Sequence, residues 1–386
     1  VEPQLLQRAL DRTVKRFPIY RSVMKRGWFW YYLEDSPLPA QVRREELPPC
    51  CPIYPSVRRS LLFRVLYYRR RISLEVYHAL TDGTGALNFL CALVYEYLLL
   101  RCPEELPQPV PVLPYDASPA QQQADSFQKY YEKPKGRSMG RSPAAYQIRR
   151  ERLPRNHLAI LEGRMPLDQV LACARARGVT LTELMTAIFL RAIHAGMRVR
   201  DRKKPVVITI PVNLRSYFPS ESARNFFATI NAGYDFSRGE DSLEAVLKEV
   251  RRSFRENLTA ERMRERMNAL CALEHSVPLR LVPLPLKDVI LRIANKIAAQ
   301  GVTASFSNVG KVSMPREMEK LIHLFSVFAC AGMLQACACS FGGVYVVSFA
   351  SPYRACETER VFFRELARLG IEVVLTTNLP PETEVR

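Results

Sequence analysis

The chain has 386 residues, about 48% of them hydrophobic, with 17 Tyr and 18 Phe, and carries 56 Lys and Arg against 38 Asp and Glu for a formal charge of +18. This apolar and aromatic content excludes a disordered polyelectrolyte, and the length exceeds what one ordinary core fills, so two packed units are expected. The basic residues are mostly scattered arginines without zinc-ligand spacing, an RNP-like aromatic motif or a long basic helix, so the charge does not point to nucleic acid.

Apolar residues at helical spacing from Leu5 to Phe17 predict an amphipathic helix ended by Pro18. The chain opens on this charged segment rather than on a signal peptide. Strands are predicted at 19–24 and 28–33 around a Lys25-Arg26-Gly27 turn, then at 61–67 and 72–77 as an antiparallel pair joined at Arg69-Arg70-Arg71. Residues 83–100 read as a buried helix. The longest apolar run, 87–100, is broken by Asn88 and Glu96, so no transmembrane segment is expected. From 102 to 143 the sequence is rich in Pro, Gln, Ser and Lys without periodicity, which marks a boundary.

Beyond it, strands are expected at 157–162, 206–212, 226–231, 303–309, 324–331, 344–350 and 371–376. Helices are expected at 166–177, 182–198 with Thr180 as cap, 242–258 and 357–369. Residues 279–299 mix apolar and basic positions around Pro283 and Pro285. They fit a surface helix, with peripheral membrane contact as the alternative. Mixed strands and helices without a βαβ rhythm make the fold class α+β. The ten cysteines show no C-x-x-C pair and no zinc spacing, and free thiols in a cytoplasmic protein are expected.

The sharpest local feature is Tyr77-His78-Ala79-Leu80-Thr81-Asp82-Gly83-Thr84-Gly85. Period-two alternation from Ile72, Leu74 and Val76 carries His78 inward at the strand end, where a neutral imidazole can accept a proton from an alcohol or thiol. Asp82 either orders the following turn by pairing with an arginine or caps the next helix. His157, His194, His275 and His323 lack comparable neighbourhoods, and no metal site, phosphate-cradling loop or nicotinamide fingerprint is present in the sequence.

His78-x-x-x-Asp82-Gly83 at a strand-to-helix junction resembles the signature of the chloramphenicol-acetyltransferase-like acyltransferases, a superfamily that includes peptide-synthetase condensation domains and alcohol acetyltransferases. Three further segments are similar in the same order: Arg16-Phe17-Pro18-Ile19-Tyr20-Arg21, Pro211-Val212-Asn213-Leu214-Arg215 followed by Asn225-Phe226-Phe227, and Ser305-Phe306-Ser307-Asn308-Val309-Gly310. Tyr77 stands where many condensation domains carry a second His, and the DFGWG motif of the plant enzymes is absent. The likeness therefore leans toward bacterial alcohol acetyltransferases.

The resemblance implies two acyltransferase subdomains, 1–115 and 146–386, each a mixed sheet with helices, joined by a crossover loop at 116–145. They would enclose a central channel, with a crossover strand near 303–310. It implies direct acyl transfer from a CoA thioester to a small or lipid-like alcohol, with no permanently bound cofactor or metal. The site would comprise His78 as general base, Asp82 as a structural partner of Arg21 or Arg215, and Gly83 beside it. Ser305, Ser307 and Asn308 are the candidate oxyanion donors. The alternatives are a condensation-type enzyme using the phosphopantetheine thioester of an acyl carrier protein, with an amine or alcohol acceptor, and a catalytically silent member that binds ligands.

Overall fold

A computed structural model of the chain describes residues 1–54, 59–107, 109–115, 117–133, 143–330 and 332–379. The N-terminal part begins with α1 (Pro3–Arg16), whose stripe of Leu6, Ala9 and Leu10 is fully buried. Pro18 stops the helix by lacking the next amide donor and opens a short 3-10 turn, Pro18–Arg21. The hairpin of β1 (Ser22–Arg26) and β2 (Tyr31–Asp35) follows, then β3 (Val42–Arg44), β4 (Phe63–Tyr68) and β5 (Arg71–Val76). The last three form a small sheet in which β3 runs parallel and β5 antiparallel to β4. Helix α2 (Gly83–Arg101) packs on α1, and its Phe89 meets the ring of Phe17, just past that helix, with centroids 5.4 Å apart. It is long and apolar enough to span a bilayer by length and composition, but Phe89, Ala92, Leu93, Tyr97 and Leu98 are buried in the fold.

Two short helices, α3 (Pro119–Gln123) and α4 (Ser126–Tyr130), lie in the segment expected as a crossover loop. That segment's residues 116 and 134–142 lie outside the described residues. The remaining elements are β6 (Ala159–Pro166), α5 (Leu167–Ala176), α6 (Leu181–Ala195), β7 (Val206–Asn213), β8 (Phe227–Tyr234), α7 (Leu243–Asn257), α8 (Ala260–His275), α9 (Val277–Leu281), α10 (Leu284–Ala299), β9 (Ala304–Lys311), α11 (Arg316–Glu319), β10 (Gln335–Phe341), β11 (Val344–Ser351), α12 (Glu357–Arg368) and β12 (Val374–Thr377). Seven strands join in one mixed sheet of order β12-β6-β11-β10-β9-β7-β8, in which β9 runs parallel to both of its neighbours. This is the α+β architecture expected from the sequence. Thr180 caps α6 as anticipated, accepting from Glu183 N, while the Glu183 side chain returns to the Thr180 amide.

Beyond the short β3, α3, α4 and α11, which the sequence did not predict, the clearest departures from expectation lie at 324–341 and at α8. Residues 324–330 form no strand; they pack side-on against the large sheet, with Phe325 against Phe341 and Phe325 O accepting from Cys339 Sγ. Ala331, the end of that expected strand, lies outside the described residues. The alternation of 324–330 thus reflects packing onto a sheet rather than pairing within one. The strand in this region is β10, Gln-Ala-Cys-Ala-Cys-Ser-Phe, fully buried in the sheet, where small residues replace the usual β-branched ones. Helix α8 is also new. Met263, Met267 and Cys271 are buried four residues apart, and Thr259 accepts from Arg262 N as its cap.

The apolar side chains gather in two cores. One is built on α6, α7, α12 and the large sheet. The other joins the N-terminal elements with Ala223, Val312, Met314, Met318, Phe325 and Phe341. The chain after β9 therefore returns to pack on the N-terminal half, and the residues of the motif lie where the two halves meet.

Candidate active site

Strand β5 ends at Val76. Tyr77 N donates to Leu62 O at 2.8 Å and Leu80 N to Tyr77 O at 2.9 Å, closing a turn. His78 therefore lies in the turn, exposed, instead of continuing the inward face of the strand. The turn follows from its surroundings, since Leu80 and Thr81 are buried and Asp82 must start α2.

Asp82 performs both roles that the sequence left open. Its Oδ1 accepts from Gly85 N at 3.0 Å, capping α2, and its Oδ2 accepts from Arg215 Nη1 at 2.7 Å and Phe226 N at 2.8 Å. The carboxylate is almost completely buried, and the Arg215 side chain is only 12% exposed. Arg21, the other candidate partner, instead pairs with Asp35 at 3.1 Å on the surface. It lies next to β1 and is drawn to the paired end of the β1–β2 hairpin, where Ser22 faces Asp35. The charge of Asp82 is also felt by Tyr20, whose phenol is held well above its ordinary value, first by burial and then by that carboxylate.

Arg215 does more than neutralise Asp82. Its guanidinium also donates to Ser222 O at 2.8 Å and Arg224 O at 2.7 Å, so the loop between β7 and β8 wraps around it. Ala223 N donates to Gln122 O, which ties the same loop to α3. Gly85 is required for the loop's approach, because a Cβ there would stand 2.5 Å from Ala223 O and 2.1 Å from Thr81 Oγ1. At Gly83 a Cβ would make only an ordinary contact, 3.5 Å from Val309 Cγ1 of β9.

The wrapped loop delivers Asn225 to His78. Asn225 Nδ2 donates to His78 O at 2.8 Å, and Asn225 Oδ1 lies 3.1 Å from His78 Nδ1. A backbone carbonyl can only accept, so the amide nitrogen must face it and the amide oxygen must face the ring. That orientation puts the proton on Nδ1 and leaves Nε2 with a lone pair. In the sequence Asn225 stands out only as part of the Asn225-Phe226-Phe227 stretch; its place against His78 comes from a contact 147 positions away. The ring of Phe227 lies against the imidazole, with centroids 5.4 Å apart.

The oxyanion candidates are not gathered at one point. Ser305 is buried in the sheet, in register with Gln335 and Thr209, and Ser307 is paired with Cys337. Asn308 donates from Nδ2 to Thr182 Oγ1 at 3.0 Å and accepts from Gly310 N at 3.1 Å, just before an irregularity in the β9–β10 register. Two cavities border this region, and His78 itself is among the lining residues of neither. One of about 810 Å³ touches Ala79 and is walled by Tyr31, Tyr32, Leu33, Arg21 and Arg224. The other, of about 500 Å³, is lined by Asn308, Thr182, Arg255 and Asn213, whose amide donates to Thr84 Oγ1 at 3.2 Å. Among the described residues no three His, Cys, Asp or Glu side chains gather to hold a metal ion.

No sequence-family profile matches the chain, and no curated protein sequence does. Solved structures do. TRI101 of F. graminearum, solved with coenzyme A and T-2 mycotoxin, superposes with a TM-score of 0.63 at 10% identity, over 96% of this chain and 91% of that one. Polyketide synthase associated protein 5 from Mycobacterium tuberculosis gives 0.55 at 14% identity, over 94% and 89%. The nonribosomal peptide synthetase FmoA3 gives 0.60 at 17% identity over 96% of this chain, which spans only 39% of the synthetase chain. Backbone topology, together with the strand-to-helix placement of the His78–Gly83 motif, gives this chain the fold shared by chloramphenicol-acetyltransferase-like and condensation-domain proteins.

Proposed function

We propose that this protein is an acyltransferase that moves an acyl group from a coenzyme A thioester to a hydroxyl acceptor, with His78 Nε2 as the general base. The observation that carries the reading is the Asn225 amide bridge, which commits Nδ1 as a donor and leaves Nε2 free to take a proton. As the acceptor oxygen attacks the thioester carbonyl carbon, its proton passes to Nε2. The tetrahedral intermediate then collapses, the C–S bond breaks, and the departing thiolate recovers that proton. No acyl-enzyme is required. Asp82 and Arg215 act as positioning residues, through the loop that carries Asn225.

Coenzyme A as donor is supported by the fold shared with TRI101, which was solved with that molecule, and by arginines on both cavities: Arg21 and Arg224 on one, Arg255 on the other. Asn308, on the wall of the second cavity, is the oxyanion donor in this reading, through the amide proton that Thr182 leaves unused.

The test measures thiol release from acetyl- and longer acyl-CoA with a panel of alcohols, beside the same acyl groups loaded on a carrier protein. Release from acyl-CoA that depends on an alcohol supports the proposal, as does a fall of about 10²–10⁴-fold in His78→Ala. Full turnover in His78→Ala rejects the base assignment. Release from the carrier alone selects the condensation-type reading, and release from neither selects the silent binder.

A further inference from the structure

The β1–β2 hairpin and α10 form a surface that acyl transfer does not explain. Leu284 N donates to Trp28 O at 2.9 Å and Tyr31 Oη to Asp288 Oδ2 at 3.1 Å. Buried Lys287 donates to Phe29 O at 2.8 Å and lies 3.5 Å from the centroid of the Trp30 ring. The hairpin tip is thus fastened to the first turns of α10. Past them every residue from 291 to 300 is exposed, and among the described residues the only hydrogen bonds to this stretch from a distant part of the chain are those of Ala145 and Gln147 to the carbonyls of Ala299 and Gln300 at its end.

The helix is nevertheless amphipathic. Leu286, Val289, Ile290, Ile293 and Ile297 recur at offsets of three, four, seven and eleven, one continuous stripe, and each is 41–56% exposed. Trp28, beside its start, is 88% exposed, and Leu281 of α9 is 70% exposed. Scattered exposed apolar residues are ordinary, whereas a stripe running into an aromatic hairpin marks a surface for a partner. Arg292 and Lys296 flank the stripe four residues apart, and Arg26 and Arg280 extend the basic character on the hairpin and α9. Of the nearby acids, Asp288 accepts from Tyr31 and Glu34 pairs with Lys25. The patch is therefore apolar and aromatic with a cationic border, on a chain of charge +18.

We propose that the hairpin tip and α9–α10 dock this protein on an anionic lipid bilayer. The apolar stripe and Trp28 would enter the headgroup boundary, and Arg292 and Lys296 would meet lipid phosphates. Tyr31, Tyr32 and Leu33 of the same hairpin wall the larger cavity, so the docked face adjoins its mouth. The docking does not rest on the acyl-transfer reading and is tested without turnover.

Both tryptophans of the chain, Trp28 and Trp30, lie in the hairpin, so intrinsic fluorescence reports the contact directly. The full chain is titrated with vesicles of phosphatidylcholine alone and with about one-third phosphatidylglycerol. Salt-sensitive binding to the mixed vesicles with a blue-shifted emission is expected. The Ile293→Glu/Ile297→Glu variant, altered only at exposed positions, should keep its circular dichroism and bind at least about tenfold more weakly. Arg292→Glu/Lys296→Glu should lose the preference for the anionic lipid. Absence of binding to mixed vesicles, or unchanged binding by the isoleucine variant, overturns the proposal. A concentration-dependent dimer of the wild type that this variant abolishes, without vesicle binding, also overturns it and assigns the face to a second copy of the chain.

Discussion

The side-chain amide of Asn225 spans His78, donating to its carbonyl oxygen at 2.8 Å and facing its Nδ1 at 3.1 Å. One amide thus holds the turn and selects the imidazole tautomer. Asn225→Ala removes both contacts, and kcat should fall by about 10–100-fold, by analogy with the loss of hydrogen-bond partners that orient metal-bound histidines. Stopped assays at saturating substrate check this. A kcat equal to wild type would show that the tautomer is selected by something else.

The Asp82–Arg215 pair is buried, and Arg215 also holds two loop carbonyls. Asp82→Ala strands a guanidinium and should lower stability by about 3–5 kcal/mol, together with activity. Asp82→Asn should have a smaller effect in the same direction. Denaturant titration of the two variants measures it, and unchanged midpoints would remove the pair from the structural account.

At Gly85 the neighbouring backbone leaves no room for a methyl group. Gly85→Ala should push the Ala223 carbonyl and its loop away from α2, costing about 1–3 kcal/mol. Activity should fall further than the stability loss explains, because the displaced loop carries Asn225. Gly83→Ala is the control, expected to be mild because its contact with Val309 is an ordinary one.

Glu359 on α12 is buried, and its Oε1 has no hydrogen-bond partner among the described residues. Burial raises its pKa above the ordinary 4.5, against weaker lowering by its own backbone amide, then by Ser351, Arg150 and Arg360. Over the interval from 4.5 up to the raised value, the folded state binds more protons than the unfolded one. Stability contributed by this group is therefore present below that interval and lost as pH rises through it. Glu359→Gln, which cannot titrate, should flatten this part of the profile of melting temperature against pH. An identical slope in both proteins would assign it to another group.

Much of the secondary structure was legible because it depends on short-range physics. The β4–β5 hairpin showed in alternating residues on either side of an arginine turn, and α6 in its Thr180 cap and apolar period. The signals for β10 were weaker. A strand buried in the middle of a sheet has little room, and Ala and Cys carry almost no strand preference of their own. At 324–330 the reverse holds, since alternation there records contact with a sheet face without a ladder.

The candidate site divides along the same line. Local capping and turn chemistry, which act over a few positions, marked Asp82 and the helix that starts behind it, while the choice of His78 as base came from the resemblance of its motif. Which arginine meets Asp82, that His78 sits in an exposed turn, and that Asn225 selects its tautomer were decided by tertiary structure. Arg21 and Arg215 are chemically equivalent partners for a carboxylate, and only the folding of the β7–β8 loop against α2 brings one of them within 2.7 Å, from 133 positions away. A buried ion pair and an amide bridge need ångström-scale placement of distant segments, and that placement comes from the packing of the two cores against each other rather than from any local run of residues.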